Sequence, residues 1–205
     1  MIIERVVNSF LQSNTFILSH SGEEDVYIVD IGDINPVFDA IGFKKVKGLF
    51  LTHAHYDHVY GINALLAAFP ECIVYGSSQT FHAHKNDKLN YSYYYDKPLQ
   101  YKGGTEVVLE DGQMVALWKR SRIQAFITPG HTPGSTCYIT GINIFTGDAY
   151  IPNFLPVTKL KEGNKKEAIR SVGTIKSLIP DGGAVYPGHL VQYIMINGSL
   201  KSLEY

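Results

Sequence analysis

The chain has 205 residues, of which 45% are hydrophobic and 18% are charged. This is the composition of a folded globular protein, and it excludes a largely disordered chain. Eighteen Lys and Arg residues nearly balance 19 Asp and Glu residues, so the net charge of −1 excludes the broad positive surface that nucleic acid binding needs.

Short runs of β-branched and aromatic residues, bounded by Gly, Pro and Asp, predict strands along the whole chain. The predicted strands are Ile2–Val7, Thr15–Ser19, Val26–Ile31, Val46–Thr52, Ile73–Tyr75, Thr105–Leu109, Met114–Trp118, Ile123–Thr128, Thr136–Thr140, Ile142–Thr146 and Ala184–Tyr186. Helical spacing of apolar residues predicts only two helices, at Tyr60–Phe69 and Lys165–Leu178. This pattern predicts two sheets packed face to face with helices on the outside.

The organisation of the chain indicates one domain. No stretch has the composition of a linker, so we expect a single domain over residues 1–205. Residues 77–104 differ, because they are polar and rich in Tyr. Long segments between regular elements often form lids or binding loops, so we expect an insert or lid here. The alternative is a solvated connection whose tyrosines pack on the edge of the core.

A cluster of potential metal ligands follows the predicted strand that ends at Thr52. Histidine nitrogens and carboxylate oxygens are the usual ligands of zinc and related divalent ions. Four such side chains fall within six residues: His53, His55, Asp57 and His58. In an extended segment His53 and His55 point the same way, whereas the adjacent Asp57 and His58 point differently. One turn can therefore serve two neighbouring metal positions.

Three further candidate ligands, His131, Asp148 and His189, each follow a glycine near the end of a predicted strand. Glycine permits a closely bent backbone, and the prolines beside both histidines stiffen the turns. Each motif alone is commonly a turn, but five of the eight histidines fall in these motifs. His82 and His84 repeat the spacing without Gly, Pro or carboxylate neighbours, so we expect both on the surface.

Together these motifs resemble those of the metallo-β-lactamase superfamily. The turn THAHYDH is similar to its metal-binding loop, and the later ligands follow in the same order, so the resemblance extends from Asn14 to His189. The resemblance implies an α/β fold, a four-layer αβ/βα sandwich of two mixed β-sheets flanked by helices. It also implies metal ions at one edge, between the sheets.

Within the superfamily, the full ligand set is similar to that of the glyoxalase II (hydroxyacylglutathione hydrolase) group. The resemblance implies that one metal ion is bound by His53, His55 and His131. It implies that a second ion is bound by Asp57, His58 and His189, and that Asp148 bridges both. Asp30 matches a position that supports the metal loop, and Lys88–Ser92 is similar to a Leu-Asn-x-Ser stretch of this group.

The sequence also departs from that group. Only residues 190–205 follow His189, so we expect no helical C-terminal domain of the kind that holds glutathione. Residues 149–156 replace the sequence that usually follows the bridging aspartate. True β-lactamases of this fold usually have Cys or Ser in place of Asp148, so β-lactam cleavage is not expected.

The resemblance implies a dinuclear hydrolase that uses two divalent ions, with zinc first and iron or manganese as alternatives. A metal-bridging hydroxide would attack the carbonyl carbon of a thioester, ester or lactone. Asp57 is the expected catalytic carboxylate, and Tyr150 is expected to donate a hydrogen bond to the substrate. The predicted substrate-binding residues are Tyr91, Tyr93, Tyr94 and Tyr150.

Three other functions remain open: a mononuclear iron persulfide dioxygenase, a lactonase, and a non-catalytic metal-binding domain. The expected partner is a small-molecule substrate, not a nucleic acid or a membrane. The N-terminus lacks the pattern of a signal peptide, which predicts a cytoplasmic protein. Cys72 and Cys137 are expected to be buried thiols in that reducing compartment, and a disulfide is the alternative.

Overall fold

The structure is a computed structural model that describes residues 1–95 and 98–203. It divides into two compact units, Met1–Val108 and Leu109–Tyr205, and each unit contains one mixed β-sheet with flanking helices. The predicted fold class of two mixed sheets with helices is thereby confirmed. The single domain over residues 1–205 stays a prediction.

The first unit contains six strands and four α-helices. The strands, in sheet order, are β1 (Ile2–Val7), β2 (Asn14–Ser19), β3 (Asp25–Val29), β4 (Lys45–Phe50), β5 (Ile73–Gly76) and β6 (Thr105–Val108). The helices are α1 (Ile34–Ile41), α2 (Tyr56–Val59), α3 (Ile62–Ala68) and α4 (Ser78–His84). Strands β1 to β3 pair antiparallel and β3 to β6 pair parallel, which makes the sheet mixed.

The core of this unit forms where the parallel strands pack against helices α1 and α3. Val26, Ile28 and Leu49 of the parallel strands are fully or almost fully buried, in one cluster with Val37 of α1 and Leu65 of α3. Parallel strands end at the same edge of a sheet, where α/β proteins usually bind their ligands. The segments that follow β3, β4 and β5 therefore share one edge, and the turn after β4 is the predicted metal turn.

The second unit contains seven strands and one long helix. The strands, in sheet order, are β7 (Met114–Trp118), β8 (Ser121–Ile127), β9 (Thr136–Thr140), β10 (Asn143–Gly147), β11 (Ala184–Pro187), β12 (Tyr193–Ile196) and β13 (Ser199–Ser202). Only β10 and β11 pair parallel among these strands, and the connection between them contains α5 (Lys165–Leu178). Asn164 caps α5, because its side chain accepts hydrogen bonds from two backbone N–H groups of the first turn.

The predicted strands are present with shifts of one or two residues at their ends, and the helix Lys165–Leu178 is as predicted. Helices α1, α2 and α4 and strands β12 and β13 were not predicted. Within residues 1–95 and 98–203, no helix has both the length and the apolar character of a membrane span. Cys72 and Cys137 are both buried and carry free thiols, as expected.

Candidate metal centre

The first unit brings four of the predicted ligands together on the turn between β4 and α2. His53, His55, Asp57 and His58 are all buried. The imidazole ring centroids of His53 and His55 lie 4.6 Å apart, and those of His53 and His58 lie 4.3 Å apart. Four groups that can carry charge are costly to bury together unless a partner compensates them.

Asp30, directly after β3, forms hydrogen bonds with this turn. Its carboxylate accepts hydrogen bonds from the Thr52 backbone N–H (2.7 Å), the Thr52 hydroxyl (2.6 Å) and His58 Nδ1 (2.9 Å). Burial raises the pKa of Asp30, and the hydrogen bonds from His58 and Thr52 oppose that effect. Its oxygens thus accept from three donors on the metal turn, which is the geometry expected of a supporting residue, and that role stays a prediction.

These hydrogen bonds fix which ring nitrogen each histidine presents. His58 Nδ1 donates to Asp30, so the lone pair of a neutral His58 lies on Nε2. The Thr52 hydroxyl gives its hydrogen to Asp30, so it accepts from His53 Nδ1 at 3.0 Å. His53 and His58 therefore both present Nε2 for coordination, and His58 Nε2 lies 3.3 Å from Asp57 Oδ2.

The second unit brings together the other three predicted ligands. His131 Nε2 and His189 Nε2 lie 3.6 Å and 3.5 Å from the same oxygen, Oδ2 of Asp148. His131 Nδ1 donates to the backbone carbonyl of Val157 at 2.8 Å, which places the lone pair of a neutral His131 on Nε2. The backbone N–H of Gly188 donates to Gly147 O at 2.9 Å, and this bond joins the loops that carry Asp148 and His189.

The geometry within each unit fits a divalent metal ion. If His58 and His131 are neutral, each points a lone pair at a carboxylate oxygen, and a proton or a metal cation between the two atoms removes that repulsion. Metal–nitrogen and metal–oxygen bonds of about 2.0–2.2 Å place two ligands of a tetrahedral ion roughly 3.4 Å apart. The observed separations are 3.3, 3.5 and 3.6 Å. The donor set therefore suits zinc, iron or manganese, while the pairing of ligands from both units on shared ions stays a prediction.

Two residues that the sequence analysis missed also hold the metal turn. The carbonyl of Asn90 accepts the backbone N–H of Tyr56, the first residue of α2, at 2.8 Å. The Ser13 hydroxyl donates to the carbonyl of Asp57 at 2.6 Å. Asn90 lies in the Leu-Asn-x-Ser stretch, and that motif could have indicated its role. The sequence around Ser13 contains no motif that indicates a contact with the metal turn.

The predicted substrate-binding tyrosines lie in different surroundings. The ring of Tyr91 lies edge-on to His55, with centroids 5.0 Å apart, whereas Tyr93 and Tyr94 are exposed. Tyr150 is buried in the second unit, with Lys176 Nζ 5.6 Å from its ring centroid. Their roles in substrate binding, and the predicted lid, stay predictions.

One surface assignment was wrong. His82 is exposed as expected, but His84 is fully buried and its ring lies 4.1 Å from that of Tyr101. The physical reason is that both residues belong to α4, which was not predicted, and a helix turns residues two apart to different sides. Burial lowers the pKa of His84 to about 4, so its imidazole is neutral at pH 7.

Comparison with known proteins agrees with this arrangement. The family model described as the metallo-beta-lactamase superfamily matches residues 9–189. The hydroxyacylglutathione hydrolase of Citrobacter koseri is 32% identical over 193 residues, which cover 93% of this chain. The match covers 66% of that relative, so this chain spans just under two thirds of its length.

Solved structures have the same fold. The BLEG-1 B3 metallo-beta-lactamase superposes with a TM-score of 0.85 at 23% identity, over 93% of each chain. TTHA1623 in a di-iron-bound form superposes with a TM-score of 0.77 at 24% identity, over 92% of this chain and 93% of that chain. The family match extends over most of the chain and includes all seven predicted ligands. The chain therefore belongs to the metallo-beta-lactamase superfamily.

Proposed function

We propose that the chain is a hydrolase that uses two divalent metal ions, zinc in the first place, to cleave a thioester, ester or lactone. One ion would be held by His53, His55 and His131. The other would be held by Asp57, His58 and His189, with Asp148 bridging both. The observation that carries this proposal is the set of imidazole Nε2 atoms that face Asp57 and Asp148 at 3.3–3.6 Å.

The chemistry would be divided between the ions and the chain. Divalent ions, when bound, supply hydroxide at neutral pH and stabilise negative charge on a carbonyl oxygen. The carboxylate of Asp57 would accept a proton from the nucleophile. Burial raises the pKa of Tyr150, so its hydroxyl stays protonated at pH 7 and can donate a hydrogen bond to the substrate.

The name of a relative supports one substrate class over the others. The Citrobacter koseri relative is named a hydroxyacylglutathione hydrolase, which supports a thioester as the first substrate to test. Tyr91, Tyr93 and Tyr94 would contact the acyl or leaving group. We place the enzyme in the cytoplasm, where the buried thiols of Cys72 and Cys137 would stay reduced.

The first experiment measures metal content on protein purified without added metal, followed by hydrolysis of a thioester, an ester and a lactone. We expect about two ions per chain and turnover of at least one substrate. His53→Ala should lose metal and turnover together and remain folded. His82→Ala removes an exposed histidine of the same unit and should change neither. Full activity of His53→Ala would contradict the proposal.

The identity of the bound metal also distinguishes the hydrolase from its main alternative, a persulfide dioxygenase. About one iron per chain, together with oxygen consumption on a persulfide, would indicate persulfide oxidation instead of hydrolysis. Iron without oxygen consumption is compatible with the hydrolase, since the same His and carboxylate ligands bind iron.

A further inference from the structure

We propose that Tyr91 is a positioning residue for His55: its ring holds the imidazole in the orientation needed to bind metal. This inference rests on the proposed function, because it assumes that His55 is a metal ligand. It assigns Tyr91 a role that differs from contact with the substrate.

The contact between the two rings is direct. The ring centroids of Tyr91 and His55 lie 5.0 Å apart with an interplanar angle of 86°, which is an edge-to-face arrangement. Aromatic pairs favour this geometry. His55 is the residue immediately before α2, and its own side chain makes no capping hydrogen bond to that helix. The Tyr91 ring, packed against the imidazole, restricts the rotation of the His55 side chain.

Asn90 ties Tyr91 to the backbone of the same turn. Asn90 is fully buried; its side-chain carbonyl accepts the Ser92 N–H at 2.9 Å, and its side-chain amide donates to the His84 carbonyl at 3.0 Å. Its own carbonyl accepts the N–H of Tyr56, the residue directly after His55. One dipeptide thus contacts both the ring of His55 and the peptide that follows it.

The backbone of Tyr91 gives independent support. Tyr91 has a φ of +65°, in the left-handed region. That region is unfavourable for residues with a Cβ and is most easily occupied by glycine. A bulky residue kept in such a conformation is held there by its surroundings, and strained residues of this kind concentrate at functional sites.

The strain makes the proposal testable, because glycine removes the ring and relieves the backbone together. We would measure the zinc affinity of metal-free protein by chelator competition, the visible spectrum of the cobalt form, and the melting temperature of the metal-free protein. Tyr91→Gly should bind zinc about 10- to 100-fold more weakly, the usual cost of losing a group that orients a ligand. Its melting temperature should be unchanged or higher. Tyr91→Phe keeps the ring and should bind zinc like the wild type.

Leu11→Gly is the matched control. Leu11 is exposed, lies in the same unit and also has a positive φ, of +53°. The substitution relieves similar backbone strain without removing an aromatic ring, so zinc affinity and the cobalt spectrum should not change.

The outcomes separate this inference from the proposed function. A wild-type protein that binds no zinc or cobalt would overturn the proposed function, and this inference with it. A wild-type protein that binds zinc while Tyr91→Gly binds equally well would overturn the positioning role alone. So would a large drop in melting temperature in both Tyr91→Gly and Tyr91→Asn, since asparagine also tolerates this φ. That drop would indicate a purely structural role.

Discussion

The two units hold their ligands in different ways. In the first unit the ligands lie on one turn of six residues, and side chains from elsewhere, Asp30 and Ser13 among them, hydrogen-bond to that turn. In the second unit three ligands follow three separate strands, and the bonds described there use backbone carbonyls of Val157 and Gly147. We therefore expect a single side-chain substitution away from the turn to disturb the first set more than the second.

The largest expected effect is that of removing the Asp30 carboxylate, which hydrogen-bonds to the metal turn of the first unit. Asp30→Ala leaves the Thr52 N–H, the Thr52 hydroxyl and His58 Nδ1 without their acceptor. We expect zinc affinity to fall at least about 100-fold and the free energy of unfolding to fall by about 4 kcal/mol. Chelator competition and urea titration measure these changes.

Asp30→Asn is the milder partner variant, because asparagine tolerates the positive φ of +56° at this position. It should bind zinc with an affinity between those of the wild type and Asp30→Ala. Val157→Ala is the corresponding change in the second unit, and it should leave affinity nearly unchanged because the carbonyl that His131 uses remains. Equal losses in Asp30→Ala and Val157→Ala would contradict the comparison.

In the second unit we expect the larger effects from substitutions that disturb the backbone beside a predicted ligand. Gly130, the residue before His131, has a φ of +133°, and a Cβ there would lie 2.2 Å from the backbone nitrogen of Ala168. Gly130→Ala should therefore lower the free energy of unfolding by about 3 kcal/mol and weaken metal binding. Gly141→Ala, at a φ of +61° with open space around it, should cost only about 1 kcal/mol. Similar unfolding energies for the two variants would show that the clash is absent.

Acid should lower the free energy of unfolding by protonating His84, at the end of α4. Burial lowers the pKa of His84 from its ordinary value of 6.5 to about 4 in the folded protein. The unfolded chain therefore binds the proton more tightly, and stability falls as the pH drops from about 6.5 to 4. His84→Phe should remove about 3 kcal/mol of that loss, measured by urea unfolding of metal-free protein at pH 7 and pH 4.

His82→Phe provides the control for that experiment, because His82 is exposed. Its unfolding free energy should follow the same pH dependence as the wild type. An unchanged pH dependence in His84→Phe would contradict the assignment of the acid sensitivity to His84.

The smallest effect concerns Ser13. Its hydroxyl donates to the Asp57 carbonyl at 2.6 Å and accepts from Asn8 Nδ2 at 2.9 Å. Ser13→Ala should lower the free energy of unfolding by about 2 kcal/mol and weaken zinc binding only severalfold. The exposed Ser21→Ala should have no effect on either quantity. A loss of affinity as large as that of Asp30→Ala would contradict this ranking of the two residues.

The same contrast explains how much could be predicted from the sequence. The candidate ligands on the metal turn are clustered, so their spacing was enough to predict them as ligands, and most strands were visible in their β-branched runs. Helix α4 was missed because its sequence, SQTFHAH, is polar outside Phe81 and Ala83, and the burial of His84 was missed with it. The contacts of Ser13 and Asn90 join residues 44 and 34 positions away, which local patterns do not indicate.

The parallel pair β10 and β11 has a consequence for variation in chain length. Asp148 and His189 follow neighbouring strands, and the Gly188–Gly147 hydrogen bond ties their loops together, so the sheet fixes their separation. The connection between them carries α5, the Val157 carbonyl that accepts from His131 and the Asn164 N–H that donates to Gly130. We therefore expect a change in the length of this connection to affect the ligand set through His131, and not through the spacing of Asp148 and His189.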